Sequence, residues 1–256
     1  MIFGTLLGLT ILPVFLLMLF IYIQDKYQKE PIKTLVKAFF GGMLAIVFTM
    51  VIVFIIDMTL GRIPILSNTV FYDSFLTAGI PEELCKFLIF MMFIWRDKNF
   101  DEYFDGIVYA CFIGLGFACL ENCMYVGGQV LGVSIWSGIV TSILRGLLSV
   151  PGHFLFGVIL GYFLSMAKFK PEKKAKYIWT GLLLAMLAHG LFDWLLMVTD
   201  YLSSGLTILV YALFLMGDIG LWIYAVSLIR RQQENSRLQQ IEAENTDTEN
   251  EFNQTL

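Results

Sequence analysis

The chain has 256 residues, of which 58% are hydrophobic and only 15% charged, with a formal net charge of −4 and a mean hydropathy of +0.75. An ordinary soluble domain is about 45–50% apolar and about 25% charged. This balance excludes a soluble enzyme, a nucleic-acid binder and a disordered chain, and leaves a polytopic membrane protein bathed in lipid.

Apolar runs of about 20 residues, enough to cross about 30 Å of hydrocarbon as helix, recur along the chain. They fall at 3–23, 38–58, 74–95, 106–126, 134–167, 178–198 and 207–229. None shows period-2 alternation, and an open sheet leaves its backbone unsatisfied in lipid. The predicted fold is therefore an all-α transmembrane bundle of about seven spans. The first run has no basic n-region and no small-residue cleavage site, so it reads as a retained span. Trp95, Trp136 and Trp179 fall at predicted helix ends, as interfacial anchors do.

The basic residues orient the bundle. Fourteen of them follow the first, third, fifth and seventh runs, whereas the alternate loops hold only Arg62. The positive-inside rule then places the N-terminus outside and the C-terminus in the cytoplasm. It also requires 134–167 to cross once, tilted or kinked near Pro151, because a double crossing would move the five lysines of 168–176 to the wrong side. A re-entrant segment is the alternative there. Residues 232–256 hold six acids against Arg237 alone and read as an acidic, disordered cytoplasmic tail after a membrane-embedded domain of 1–231. Cys85, Cys111, Cys119 and Cys123 all lie inside spans with no CxxC pair, and read as small apolar filler.

Few charges remain inside the spans: Glu82, Glu83, Lys86, Glu121, Arg145, Asp193 and Asp218, with Asp57 at an outer edge and both histidines, His153 and His189. Intramembrane ionisable groups are expensive and mark function. In IPEELCK, Lys86 can reach Glu82 at i+4 or Glu83 at i+3, while the two acids point about 100° apart and so do different work. Pro81 frees a backbone carbonyl one turn earlier. His189 and Asp193 are i,i+4, where a carboxylate can orient an imidazole. Arg145 and His153 are two turns apart on one face. Helix direction puts these groups at one level between the midplane and the outer face, predicting a hydrated cavity. Blander readings compete: an ion pair for Glu82/Glu83 with Lys86, an interfacial contact for Glu121 with Asn122, and hydrogen-bonding helix residues for the histidines. The role of Asp218, flanked by Gly217 and Gly220, stays open.

Four motifs in order, Glu82-Glu83-x-x-Lys86, Phe117-x-x-x-Glu121-Asn122, Gly152-His153 and His189-x-x-x-Asp193, resemble the PrsW family of intramembrane proteases, akin to type II CAAX prenyl endopeptidases and bacteriocin-immunity membrane proteins. The resemblance covers about 74–198. It implies an endopeptidase that makes the first, extracytoplasmic cut in a single-pass membrane anti-sigma factor, releasing a sigma factor under envelope stress. With no Cys–His nucleophile motif, Glu82 or Glu83 is the candidate general base, with Glu121, His153 and His189 completing the catalytic set. Lys86, Asn122, Arg145 and Asp193 are candidate supporting residues. Glu121, His153 and His189 are the candidate ligands for a divalent metal such as zinc, and a metal-free mechanism uses the same residues. A proton- or ion-coupled transporter and a non-catalytic scaffold are the alternatives.

Overall fold

The computed structural model describes residues 2–254 and, among them, contains helices and no strand. The seven predicted spans all have helical counterparts. α1 (Ile2–Gln24) and α2 (Ile32–Thr59) form the first two. A 3₁₀ turn and the short α3 (Pro64–Ser67) cover the outer end. The third span combines a π-helical stretch, Tyr72–Gly79, with α4 (Ile80–Phe93). Then come α5 (Asp105–Gly132), α6 (Ile135–Leu147), α7 (Ser149–Phe169), α8 (Lys174–Met197) and α9 (Ser204–Gln254). Five stretches are individually long and apolar enough to cross a membrane, the α6–α7 pair counting as one. The other two are α1 and the Tyr72–Phe93 unit.

The predicted kink is a break at Leu148, three residues before Pro151. Pro151 thus falls in the first turn of α7, where its missing N–H disturbs little. Both pieces run in one direction along α5: Ser137 bonds Gln129, Arg145 bonds Asn122, and Cys111 bonds the Phe154 carbonyl farther down. The segment therefore crosses once and does not re-enter.

α5 and α7 are the central helices, buried over most of their lengths. Their crossing depends on absent side chains. A Cβ at Gly161 would lie 2.3 Å from the Gly106 carbonyl oxygen, so the two backbones touch. In lipid, close backbone approach replaces the hydrophobic drive for helix association. The outward faces of α1, α2 and α9 carry Leu12, Phe15, Val51, Phe54, Leu215 and Ile219, exposed toward the surrounding hydrocarbon. The four cysteines are free, three of them buried, as expected for apolar filler.

Two features of the basic end depart from the sequence reading. Loop acids set aside as topology are buried: Asp25, Glu30 and Glu102, together with Asp105 at the start of α5. The Tyr109 hydroxyl donates to Glu30, and the Asp105 carboxylate accepts the Asp101 and Glu102 amides at 2.9 and 2.7 Å. Burial and the neighbouring acids push Glu102 up to about 8, and burial lifts Asp25 to about 6. The second departure is the tail. Residues 232–254 continue α9 as helix, and the turns up to Gln239 pack on the bundle; residues 255 and 256 lie outside the described residues. The reason is packing that a charge count does not reveal. Gln232 donates to the Tyr162 carbonyl (3.2 Å), Gln233 to that of Gln24 (2.6 Å) and Gln239 to that of Asp101 (2.8 Å), while Ser236 accepts the Phe104 amide (2.9 Å).

Candidate active site

The π-helical stretch sets the site. Its wider register ends where the Ile80 amide bonds the Phe75 carbonyl five residues back, immediately before Pro81, which has no amide to give. Glu82 and Glu83 follow in the first α-helical turn after this register change, in the middle of the continuous Tyr72–Phe93 helix. The stretch lies hard against α8, since a Cβ on Gly79 would sit 2.7 Å from the Gly190 amide nitrogen. That contact brings His189 beside the paired acids.

The two glutamates diverge as their angular separation predicts. Glu83 is 1% exposed, and its Oε1 accepts from Lys86 Nζ at 2.7 Å and from His189 Nδ1 at 2.9 Å. Glu82 is held more loosely, with Oε2 3.4 Å from Lys86 Nζ and 3.8 Å from His189 Nε2, and it lines the cavity. Lys86 Nζ also lies 2.8 Å from His153 Nδ1 and 4.1 Å above the Phe117 ring. An ammonium can only donate, so Nδ1 accepts and the His153 Nε2–H is left for Glu121 at 3.0 Å.

Glu121 is clasped from the other side. Arg145 Nη2 reaches its Oε2 at 2.5 Å, and the same guanidinium bonds Asn122 Oδ1 (2.7 Å) and Ser149 Oγ (3.0 Å) while lying over the Tyr125 ring. The Asn122 amide nitrogen is buried with no hydrogen-bond partner among the described residues. At the far end Asp193 Oδ2 lies 3.3 Å from His189 Nε2, bracketing that imidazole between two carboxylates. Phe156 stacks on the His189 ring at 4.7 Å, and the two imidazole rings stand edge-on at 5.2 Å.

All nine residues singled out for the site thus join one network from Arg145 to Asp193. Asp218 and Asp57 do not; Asp57 instead accepts from the Tyr72 hydroxyl at the outer edge (2.7 Å). The network opens on a cavity of about 430 Å³ that also takes in Tyr125, Tyr211 and Ser149. Tyr125 was discoverable at i+4 from Glu121. Tyr211 carries no such signal, since it reaches the cavity from a helix outside the motif region.

The metal set differs from the expected one. The ligand atoms that converge, within 4.8 Å of one another, belong to Glu82, His153 and His189. Glu121 stands aside in the Arg145 clasp. A carboxylate with two imidazoles, each having another nitrogen braced by an acid, is a donor set suited to a divalent transition metal once the Lys86 ammonium gives up the His153 Nδ1 that it occupies at 2.8 Å.

The sequence profile of the PrsW family of intramembrane metalloproteases matches residues 30–218, well beyond the four motifs. The chain is 34% identical to Protease PrsW of Geobacillus kaustophilus over 72% of its length and 76% of the relative's. To Protease PrsW of Oceanobacillus iheyensis it is 32% identical over 91% and 98%, and to that of Bacillus subtilis 33% over 73% and 80%. No solved structure matches the chain significantly. The enzyme reading therefore stands over the transporter and the scaffold, and the chain belongs to the PrsW family of intramembrane metalloproteases, multi-pass hydrolases of bacterial membranes.

Proposed function

We propose that this protease makes the first, extracytoplasmic cut in a single-pass membrane anti-sigma factor, and that Glu82 is the carboxylate that meets the attacking water. The observation that carries the second part is the unequal engagement of the paired acids. Glu83 is spent on Lys86 and His189, whereas Glu82 has only long contacts and faces the cavity. Glu83 then acts as a positioning residue, fixing the His189 ring and the Lys86 ammonium.

Amide hydrolysis needs a proton acceptor for water, charge stabilisation at the carbonyl oxygen and a proton for the leaving nitrogen. Glu82 takes the proton. Glu83 and Asp193, at its two nitrogens, fix the His189 ring, and the proton taken up by Glu82 is the one available to the leaving amine. His153 is held by Glu121, which Arg145 steadies while itself held by Asn122 Oδ1. Glu82, His153 and His189 would hold a divalent cation such as zinc; when bound, it supplies Lewis acidity toward the carbonyl and the water. The anti-sigma substrate rests on the motif resemblance and on the position of the cluster toward the outer face.

The test is cleavage of a purified single-pass anti-sigma factor by the purified protein in nanodiscs, with and without a chelator and with readdition of zinc. Cleavage in the outer part of the membrane segment, abolished by chelation and restored by metal, is expected. A chelator-resistant cut removes the metal from the mechanism, and no cut removes the anti-sigma substrate.

A further inference from the structure

A second concavity of about 350 Å³ runs along α8 and α9, lined by Leu187, Leu191, Phe192, Phe214 and Leu221 with a single acid, Asp218. Phe192 also lines the catalytic cavity, and its ring packs edge-on against Phe214 at 5.0 Å. One aromatic pair therefore separates groove from cavity. Along α9 the stripe is continuous: Tyr211 belongs to the cavity, and Phe214, Asp218 and Leu221 follow at three- and four-residue steps down one face.

Asp218 makes no hydrogen bond or ion pair among the described residues, although it lies well inside the span. Gly217 and Gly220 flank it, and a Cβ on either would meet nothing within 4 Å. Lipid tails would fill the apolar lining but leave this carboxylate in hydrocarbon, which is unfavourable. A helix carrying a hydroxyl, amide or basic side chain satisfies both, and the bare glycines let its backbone come close.

We propose that the groove between α8 and α9 docks the substrate's own membrane-spanning helix, with Asp218 bonding a donor side chain of that helix about one to two turns to the cytoplasmic side of the cut. This rests on the proteolytic reading. A polypeptide cut at the outer level continues inward from the cavity, and the groove begins at the cavity's inner wall. Asp218 lies seven residues beyond Tyr211, a descent of about 10 Å at 1.5 Å per residue, which sets the donor's position in the substrate.

The experiment uses the full chain in nanodiscs and synthetic spanning peptides of Leu and Ala bearing one Asn, scanned residue by residue below the cleavage region. Wild type is expected to show its lowest KM with the Asn about seven residues below the cut. Asp218→Leu should raise KM about tenfold for that peptide alone, the scale of one intramembrane hydrogen bond, and leave kcat and the Asn-free peptide within about twofold. An equal change for all peptides, or a fall in kcat alone, overturns the assignment. Docking is also read without turnover, by placing benzoylphenylalanine at position 221 in a Glu82→Gln background. Light should join the chain to the Asn peptide, and less so after Asp218→Leu. Adducts between two copies of the chain, or with lipid only, refute a substrate groove. If wild type cuts nothing while the peptide still crosslinks, the hydrolytic reading fails and the docking site stands.

Discussion

Replacing Glu83 by Gln removes the negative charge from the one oxygen on which both Lys86 and His189 rely, at 2.7 and 2.9 Å in a site only 1% exposed. Each charge-assisted hydrogen bond contributes about 1.5–3 kcal/mol, and breaking a buried ion pair from one side costs about 3–5 kcal/mol. At about 2–4 °C per kcal/mol for a chain of this size, Glu83→Gln should lower the midpoint of thermal unfolding by about 10 °C. Glu82→Gln loses only contacts of 3.4 and 3.8 Å, so its midpoint should move by no more than a few degrees. Its cleavage rate should nonetheless fall about 10²–10⁴-fold, the usual contribution of a positioned proton acceptor. Both variants are measured on the same nanodisc preparations, by intrinsic fluorescence during heating and by single-turnover cleavage of a spanning peptide. If Glu82→Gln unfolds as early as Glu83→Gln, or a folded Glu82→Gln cuts at the wild-type rate, the division of labour between the paired acids is wrong.

Other expectations concern the scaffold. Gly161→Ala drives a methyl into the Gly106 carbonyl and should destabilise by about 1–3 kcal/mol, whereas Gly128→Ala, with open space around it, should be neutral or stabilising by up to about 1 kcal/mol; opposite ordering in a denaturant titration would refute the α5–α7 contact. Glu102 binds its proton more tightly folded than unfolded, 4.5 rising to about 8. Its contribution is therefore complete below about pH 4.5 and drains away as pH rises toward 8, at up to about 1.4 kcal/mol per pH unit. Glu102→Gln should flatten that slope in melts recorded from pH 5 to 8. Ending the chain after Arg231 removes the Gln232, Gln233, Ser236 and Gln239 contacts and should lower the melting midpoint by several degrees; an unchanged midpoint would mean that this part of α9 does not pack.

Hydrophobic run length, the side on which lysines collect, and helical spacing are properties of the local chain. They sufficed for the seven helices, the single crossing of 134–167 and the pairing of Lys86 with Glu82 and Glu83. Which acid faces the cavity was decided elsewhere. Lys86 meets His153 across 67 residues and Glu83 meets His189 across 106, because Gly79 and Gly190 let the π-helical turn settle against α8. The same long-range packing draws Glu82 toward the two imidazoles and leaves Glu121 to Arg145. It buries Glu30 and Glu102 in loops that composition assigns to water, and it ties the start of the acidic tail, Gln232 to Gln239, to the bundle through four polar contacts. Sequence periodicity determines which residues share a face of one helix; which faces meet depends on where side chains are small enough for backbones to touch, and that is a property of pairs of helices distant in the chain.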